Sequence, residues 1–346
     1  MTRRQLIAAI AACGLTMAAL VTAGLAVSRG AGAATGSAVD NRPTAIVSLG
    51  DSAISGEGAG SYAAGTDGPD DYCHRSAAAM IHETGVAVDK TVNLACSGAT
   101  AENLQIGGPS HYTETSQASQ LAPIAERYHV KMLVVQVGAN DDPDFSDVIT
   151  DCILAWVNPL GKSCQDKDGA AWSQRTQAMI PKVEKAISDL RAVMRDAGYA
   201  DSGYQFVLLS YASPVTGDMD AAHAVEGCPL RKSDADWGRN TAVPQLSSAL
   251  AQAASAENVR FLSLASATAG HEACNTSGSA AWENGIKIEL SDLPNGLTTH
   301  LVQQSFHPDA QGHHEFGGCL GEFYAMTART GSCVAGPGGE LHARSG

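Results

Sequence analysis

Four short blocks along this chain carry the groups that nucleophilic catalysis uses. Gly50-Asp51-Ser52-Ala53-Ile54-Ser55-Gly56-Glu57-Gly58 supplies a serine hydroxyl, and Cys96-Ser97-Gly98-Ala99 a glycine at which backbone can approach a ligand. Gly138-Ala139-Asn140-Asp141 supplies a side-chain amide, and Ser305-Phe306-His307-Pro308-Asp309 an imidazole. A hydroxyl becomes a nucleophile when a neighbouring base takes its proton, and N–H donors hold the negative charge its attack creates. Read singly, each block is an ordinary turn; Gly-Asp-Ser in particular is a common helix cap. Their order and placement give them weight.

Placement depends on the elements between them. Ala45–Leu49, Thr91–Leu94, Met132–Val137, Phe206–Leu209 and Val259–Leu264 read as strands, and four of the five are apolar without polar alternation. Such runs fit strands buried on both faces of a parallel sheet. Helical periodicity falls between them: Met179, Val183, Ile187, Leu190 and Met194 recur at three- and four-residue steps within Trp172–Ala197, and Pro244–Ala256 and Asp309–Met326 are further helices. The stretches near 56–90, 141–170, 212–236 and 266–305 read as long loops. Strands alternating with helices predict an α/β fold, a three-layer α/β/α sandwich around a central parallel five-stranded sheet. Ligands bind such sheets outside the carboxyl ends of the strands. Ser52 follows the first strand, Gly98 the second and Asn140 the third, while His307 precedes the last helix with its backbone fixed by Pro308.

In that order the four blocks resemble the SGNH, or GDSL-type, hydrolase superfamily, over roughly Ala45 to Phe323. Ser55-Gly56-Glu57-Gly58, Cys73-His74-Arg75-Ser76 and His307-Pro308-Asp309-Ala310-Gln311-Gly312-His313 are similar to the secreted actinobacterial esterases and lipases of that superfamily. The resemblance implies a flavodoxin-like sheet, Ser52 as nucleophile and His307 as general base and acid. It implies an oxyanion hole made by the Ser52 N–H, the Gly98 N–H and the Asn140 amide, with no cofactor and no metal. One position departs from the pattern. Most relatives carry an aspartate three residues before the histidine, where this chain has Gln304. Some secreted members use a main-chain carbonyl there, so the expectation is a Ser–His dyad with the Gln304 carbonyl accepting from His307 Nδ1. Asp292 is the competing loop acid.

The ends and the bulk composition define the setting. Arg3 and Arg4 precede an apolar, alanine-rich run from about Leu6 to Val27, and Ala31-Gly32-Ala33 offers small residues for cleavage. Residues 1–33 therefore read as a signal peptide, with a retained single span as the competing reading. Residues 34–43 form a polar leader, 44–335 the hydrolase domain and 336–346 a flexible glycine-rich tail. Three of the 22 Lys and Arg lie in residues 1–33 and no acid does, leaving 19 against 36 Asp and Glu, a net charge of −17. That acidity argues against nucleic acid and against anionic membranes as partners. A secreted, extracellular monomer with no stable membrane anchor, acting on an ester or lipid substrate, is expected.

Cys13 lies within the apolar leader, which leaves Cys73, Cys96, Cys152, Cys164, Cys228, Cys274, Cys319 and Cys333. An even number in an exported chain reads as disulfides. Spacing does not fix connectivity, but the grouping suggests the nearest-neighbour pairs 73–96, 152–164, 228–274 and 319–333. Gly161-Lys162-Ser163 fails as a phosphate-binding loop because Trp156 stands where its leading glycine belongs. The Gly-x-Ser-x-Gly elbow of α/β-hydrolases is absent. Asp51, Glu57 and the His74–Arg75 pair read as structural, and His313-His314-Glu315 as surface or packing residues of the last helix. Ester hydrolysis, by a lipase, a phospholipase A or a short-chain esterase, is the leading reading. Polysaccharide O-deacetylation and a non-catalytic binding module are the alternatives. Sparse aromatics, 5% of the chain, argue against a carbohydrate cleft.

Overall fold

A computed structural model of the chain describes residues 40–220, 222–288, 299–336 and 339–346. The signal segment at 1–33, most of the 34–43 leader and Asp292 lie outside the described residues. The compact unit begins at Asp40 and runs to Gly346.

All five apolar runs are strands of one sheet: β1 (Thr44–Gly50), β2 (Lys90–Asn93), β3 (His129–Gln136), β4 (Gln205–Leu209) and β5 (Arg260–Ser263). Two further strands, β6 (Thr330–Ala335) and β7 (Leu341–Ser345), extend it to seven in the order β2-β1-β3-β4-β5-β6-β7. Every pairing is parallel except β6–β7. The expected five-stranded sheet is thus the centre of a larger one, and the expected tail at 336–346 is a hairpin return and an edge strand. Both added strands are short, and β6 (Thr-Gly-Ser-Cys-Val-Ala) lacks an apolar run. What holds them is tertiary: a Cys319–Cys333 disulfide, and burial of Leu341 and Ala343 on one face of β7.

The helices are α1 (Ser52–Ser55), α2 (Gln117–Arg127), α3 (Phe145–Val157), α4 (Cys164–Asp196), α5 (Lys232–Trp237), α6 (Val243–Ala256) and α7 (Ala310–Ala325). Alternate strand residues feed two separate cores. Val47, Leu49, Leu133 and Val135 pack with Leu121 of α2, Met179, Val183, Ile187 and Leu190 of α4 and Leu246 and Leu250 of α6. Ile46, Met132, Val134, Val207 and Leu262 pack on the other face with Phe316, Leu320 and Phe323 of α7. This division explains the strands' continuous hydrophobicity, since both faces are covered.

Several helical features differ from the sequence reading: α2 is not among the three helices expected, and α5 begins inside the 212–236 stretch read as a loop. The 141–170 stretch contains α3, which is framed by the turn-forming residues Asp141-Asp142-Pro143-Asp144 and Asn158-Pro159. Helix α4 starts at Cys164 instead of Trp172 because Ser163 and Asp166 form a capping box, with the Ser163 hydroxyl accepting from the Asp166 N–H at 3.0 Å. The four disulfides pair nearest neighbours as expected: 73–96, 152–164, 228–274 and 319–333. Between β1 and β2 the chain moves one way across the sheet, and between β2 and β3 the other. The crevice beyond the carboxyl ends of β1 and β3 is therefore a topological switch point.

Candidate active site

The turn after β1 is built to present Ser52. Gly50 has φ +141°, and a Cβ there would lie 1.9 Å from the Gln136 carbonyl oxygen, so glycine alone lets β1 end this close to β3. Gln117 holds the same glycine from both sides, donating to its carbonyl at 2.7 Å and accepting from its N–H at 2.8 Å. Asp51 then caps α1, accepting from the Ala53 N–H at 3.1 Å. Its other oxygen is bonded by the Tyr211 hydroxyl. Burial pushes the Asp51 carboxyl up to about 7 despite these bonds, in keeping with a buried support of the turn. Ser52 occupies the first helical position, where a backbone N–H has no intrahelical acceptor, and the cap's oxygen is taken by Ala53.

His307 meets that serine directly. Its Nε2 lies 2.7 Å from Ser52 Oγ, and its Nδ1 lies 2.9 Å from the carbonyl oxygen of Ser305. A carbonyl only accepts, so Nδ1 carries the proton and Nε2 turns a lone pair toward the hydroxyl. The acceptor is Ser305 and not Gln304 as expected from the sequence. The cause is Phe306, which adopts φ +58° and reverses the chain between the carbonyl and the ring. Asn284, which no motif or periodicity singles out, braces the turn: its N–H and its Nδ2 both donate to the His307 carbonyl at 2.9 Å, and its own carbonyl accepts from the Phe306 N–H at 3.1 Å. Gly58, at φ +87°, leaves room for this clamp, because a Cβ there would come within 2.7 Å of Asn284 Nδ2. Desolvation lowers the His307 pKa below that of a free imidazole, opposed by the field of Glu57.

Glu57 anchors a buried network beneath the histidine. It accepts from His74 Nδ1 at 2.8 Å, Ser97 Oγ at 2.7 Å and Gln303 Nε2 at 2.9 Å. Burial raises this carboxyl, but the bond and charge of His74 outweigh it and hold the group below the usual range. Arg75 is likewise a brace, bonding the Ala95 carbonyl at 2.9 Å and pairing with Glu114. His313 is buried, accepts from the Met80 N–H at 3.3 Å and is pushed by burial to about 4; His314 pairs with Glu83.

Besides the Ser52 N–H, the other two groups expected in the oxyanion hole, Gly98 and Asn140, line the same cavity as the pair. Gly98 has φ +81°, and Asn140 Nδ2 donates to the Ala99 carbonyl at 3.1 Å, which fixes the amide plane against the Gly98 turn. An amide nitrogen carries two hydrogens, so one more is left to offer. Ser52, Gly98, Asn140 and His307 all line one cavity of about 500 Å³. Its remaining walls are mostly apolar: Phe145, Ile149 and Ile153 from α3, Val243 and Leu246 from α6, and Pro214, Ile286 and Phe306 from loops. A base-paired hydroxyl, a cluster of N–H donors and an apolar chamber are what acyl transfer to serine requires.

Comparison with known proteins agrees with this geometry. The model of the GDSL-like Lipase/Acylhydrolase family matches residues 48–314. Lipase 2 of Streptomyces coelicolor is 26% identical over 150 residues, covering 42% of this chain and 48% of that protein, so the match spans about half the length of this curated relative. Among solved structures, phospholipase A1 from Streptomyces albidoflavus superposes with a TM-score of 0.56 at 24% identity, over 78% of this chain and 94% of the other, a likeness of fold.

Proposed function

The chain belongs to the GDSL-like lipase/acylhydrolase family, and on that premise we propose that it is a secreted serine hydrolase of carboxylic esters working through a Ser52–His307 dyad. The observation that carries this reading is the 2.7 Å contact between His307 Nε2 and Ser52 Oγ at the head of a largely apolar cavity. His307 takes the hydroxyl proton as Ser52 Oγ bonds to the ester carbonyl carbon. The resulting oxyanion is held by the N–H groups of Ser52 and Gly98 and by the second hydrogen of the Asn140 amide. Collapse breaks the ester C–O bond, and His307 returns the proton to the leaving alcohol. Water then attacks the acyl-serine with His307 again as base, releasing the acid and restoring the hydroxyl. The Ser305 carbonyl keeps the ring in the working tautomer throughout.

The chamber favours an acyl group with several methylenes over acetate, because its α3 and α6 walls offer a small acyl group few contacts. Four disulfides and a markedly acidic composition support an extracellular, soluble setting with a lipid or simple ester as substrate. Hydrolysis of p-nitrophenyl esters from acetate to palmitate by wild type and Ser52→Ala tests the reading. Ser52-dependent release with a maximum beyond acetate is expected. A maximum at acetate would instead favour the polysaccharide deacetylase, and no Ser52-dependent release at any length would leave only a binding module.

A further inference from the structure

The Cys152–Cys164 disulfide closes an eleven-residue loop, Ile153 to Ser163, at the end of α3. Within it Leu154, Trp156, Val157 and Leu160 are 58%, 39%, 64% and 97% exposed. Four large apolar side chains facing water in so short a segment form a patch that folding alone does not explain. The loop is also held open. Arg231 donates to the carbonyls of Ala155 at 2.9 Å, Asn158 at 2.8 Å and Gly161 at 3.1 Å, so the backbone is fixed from beneath while the apolar side chains point away.

Two observations indicate what covers this patch. The first is continuity with the cavity. Ile149 and Ile153, one turn apart on α3, line the chamber, and Leu154 and Val157 follow on the same helix. Tyr112 and Val302, which also line the chamber, are themselves surface-exposed, so apolar surface reaches its rim. The second is charge. In a chain of net charge −14, Ile153–Ser163 holds no acid and one base, Lys162, and the flanking Asp151 is paired with Lys167. This is the one-sided apolar, charge-poor character, with a tryptophan at its edge, of segments that settle into the headgroup region of a bilayer.

We propose that the disulfide-closed loop Ile153–Ser163 is a rigid docking surface by which the protein seats the mouth of its cavity on a phospholipid bilayer. The preformed loop adds no ordering cost on contact, and insertion of Leu160 and Val157 would bring acyl chains at the surface toward the Ile153 wall. The proposal adds to the ester-hydrolase reading but is tested apart from it.

Binding is measured by flotation of the Ser52→Ala chain with phosphatidylcholine vesicles, with and without Leu160→Asp or Val157→Asp. The same substitutions in the active chain are assayed on vesicles and on p-nitrophenyl butyrate held in true solution. Both positions are exposed and outside the cavity, so hydrolysis of the dissolved ester should match the parent, which also reports folding. Vesicle binding and vesicle hydrolysis should fall about tenfold or more, the scale of withdrawing one large apolar side chain from its contact. Unchanged vesicle binding would overturn the proposal. So would a parent that does not float with vesicles but forms a dimer that either aspartate splits, which would make the face a protein interface. Loss of Ser52-dependent turnover on the dissolved ester would count against the hydrolase reading alone.

Discussion

His307 Nδ1 donates to the carbonyl of Ser305, two residues earlier in the same chain, across a 2.9 Å bond. The orienting group for the base is therefore main chain, and no side chain at 304 or 305 is needed for it. Ser305→Ala removes only the hydroxyl, which bonds the backbone of Lys287. It should keep kcat/KM within about threefold of wild type, whereas His307→Gln should lose on the order of 10⁴-fold, as expected for removing the base of such a centre. A loss at Ser305→Ala comparable to that at His307→Gln, with melting temperature unchanged, would mean that a side chain performs this role.

Asn140 is bonded to Ala99 by one amide hydrogen and faces the cavity. If its second hydrogen meets the oxyanion, Asn140→Ala should lower kcat on the order of a hundredfold or more, with KM changed far less. The structural loss is one ordinary hydrogen bond, worth about 1 kcal/mol, so the melting temperature should fall by no more than about 3 °C. Kinetics and thermal unfolding of the same preparation separate the two. A drop in activity that merely tracks a collapse in stability would remove Asn140 from the oxyanion hole.

The base must be neutral to act, so kcat/KM should rise with pH through the pKa of free-enzyme His307. Desolvation lowers that pKa, with the Glu57 carboxylate opposing it and His74 adding to it. The acid limb should consequently fall below the 6.5 of an ordinary histidine, and the enzyme should stay active into mildly acidic solution. Glu57→Gln removes the opposing negative charge, so the limb should move further toward acid. A limb above 6.5, or one that moves upward in Glu57→Gln, would contradict the assigned environment.

Much of this site is readable from residue order because a parallel sheet delivers successive strand ends to one edge. Ser52, Gly98 and Asn140 each follow such an end, and that alone brings them together. The partner of His307 was not readable, because it depends on a dihedral angle: Phe306 takes up a left-handed conformation that its residue type disfavours. Asn284 was invisible for another reason, since it sits 23 residues before the carbonyl it clamps and within no periodic element. The edge strand β7 was missed because five residues after a glycine-rich return carry too little pattern. Helix α3 was missed because turn-forming residues frame it closely, Asp141-Asp142-Pro143-Asp144 before it and Asn158-Pro159 after it, so the whole stretch reads as a loop.

That same helix forms one wall of the chamber. Ile149 lies midway along the α3 wall and also borders a small apolar void of about 30 Å³ lined by Trp172, Trp237 and Leu230. Ile149→Trp should fill the main chamber and shift preference among p-nitrophenyl esters toward shorter acyl groups, with palmitate losing about tenfold or more relative to butyrate. Phe145 also stands between the two spaces, and Phe145→Ala should open one to the other and shift preference the opposite way. Opposite shifts are hard to produce by general destabilisation, which would depress every ester alike. If both variants kept the wild-type profile, the acyl chain would have to lie along some other wall, and α6 with Val243 and Leu246 would be the next to alter.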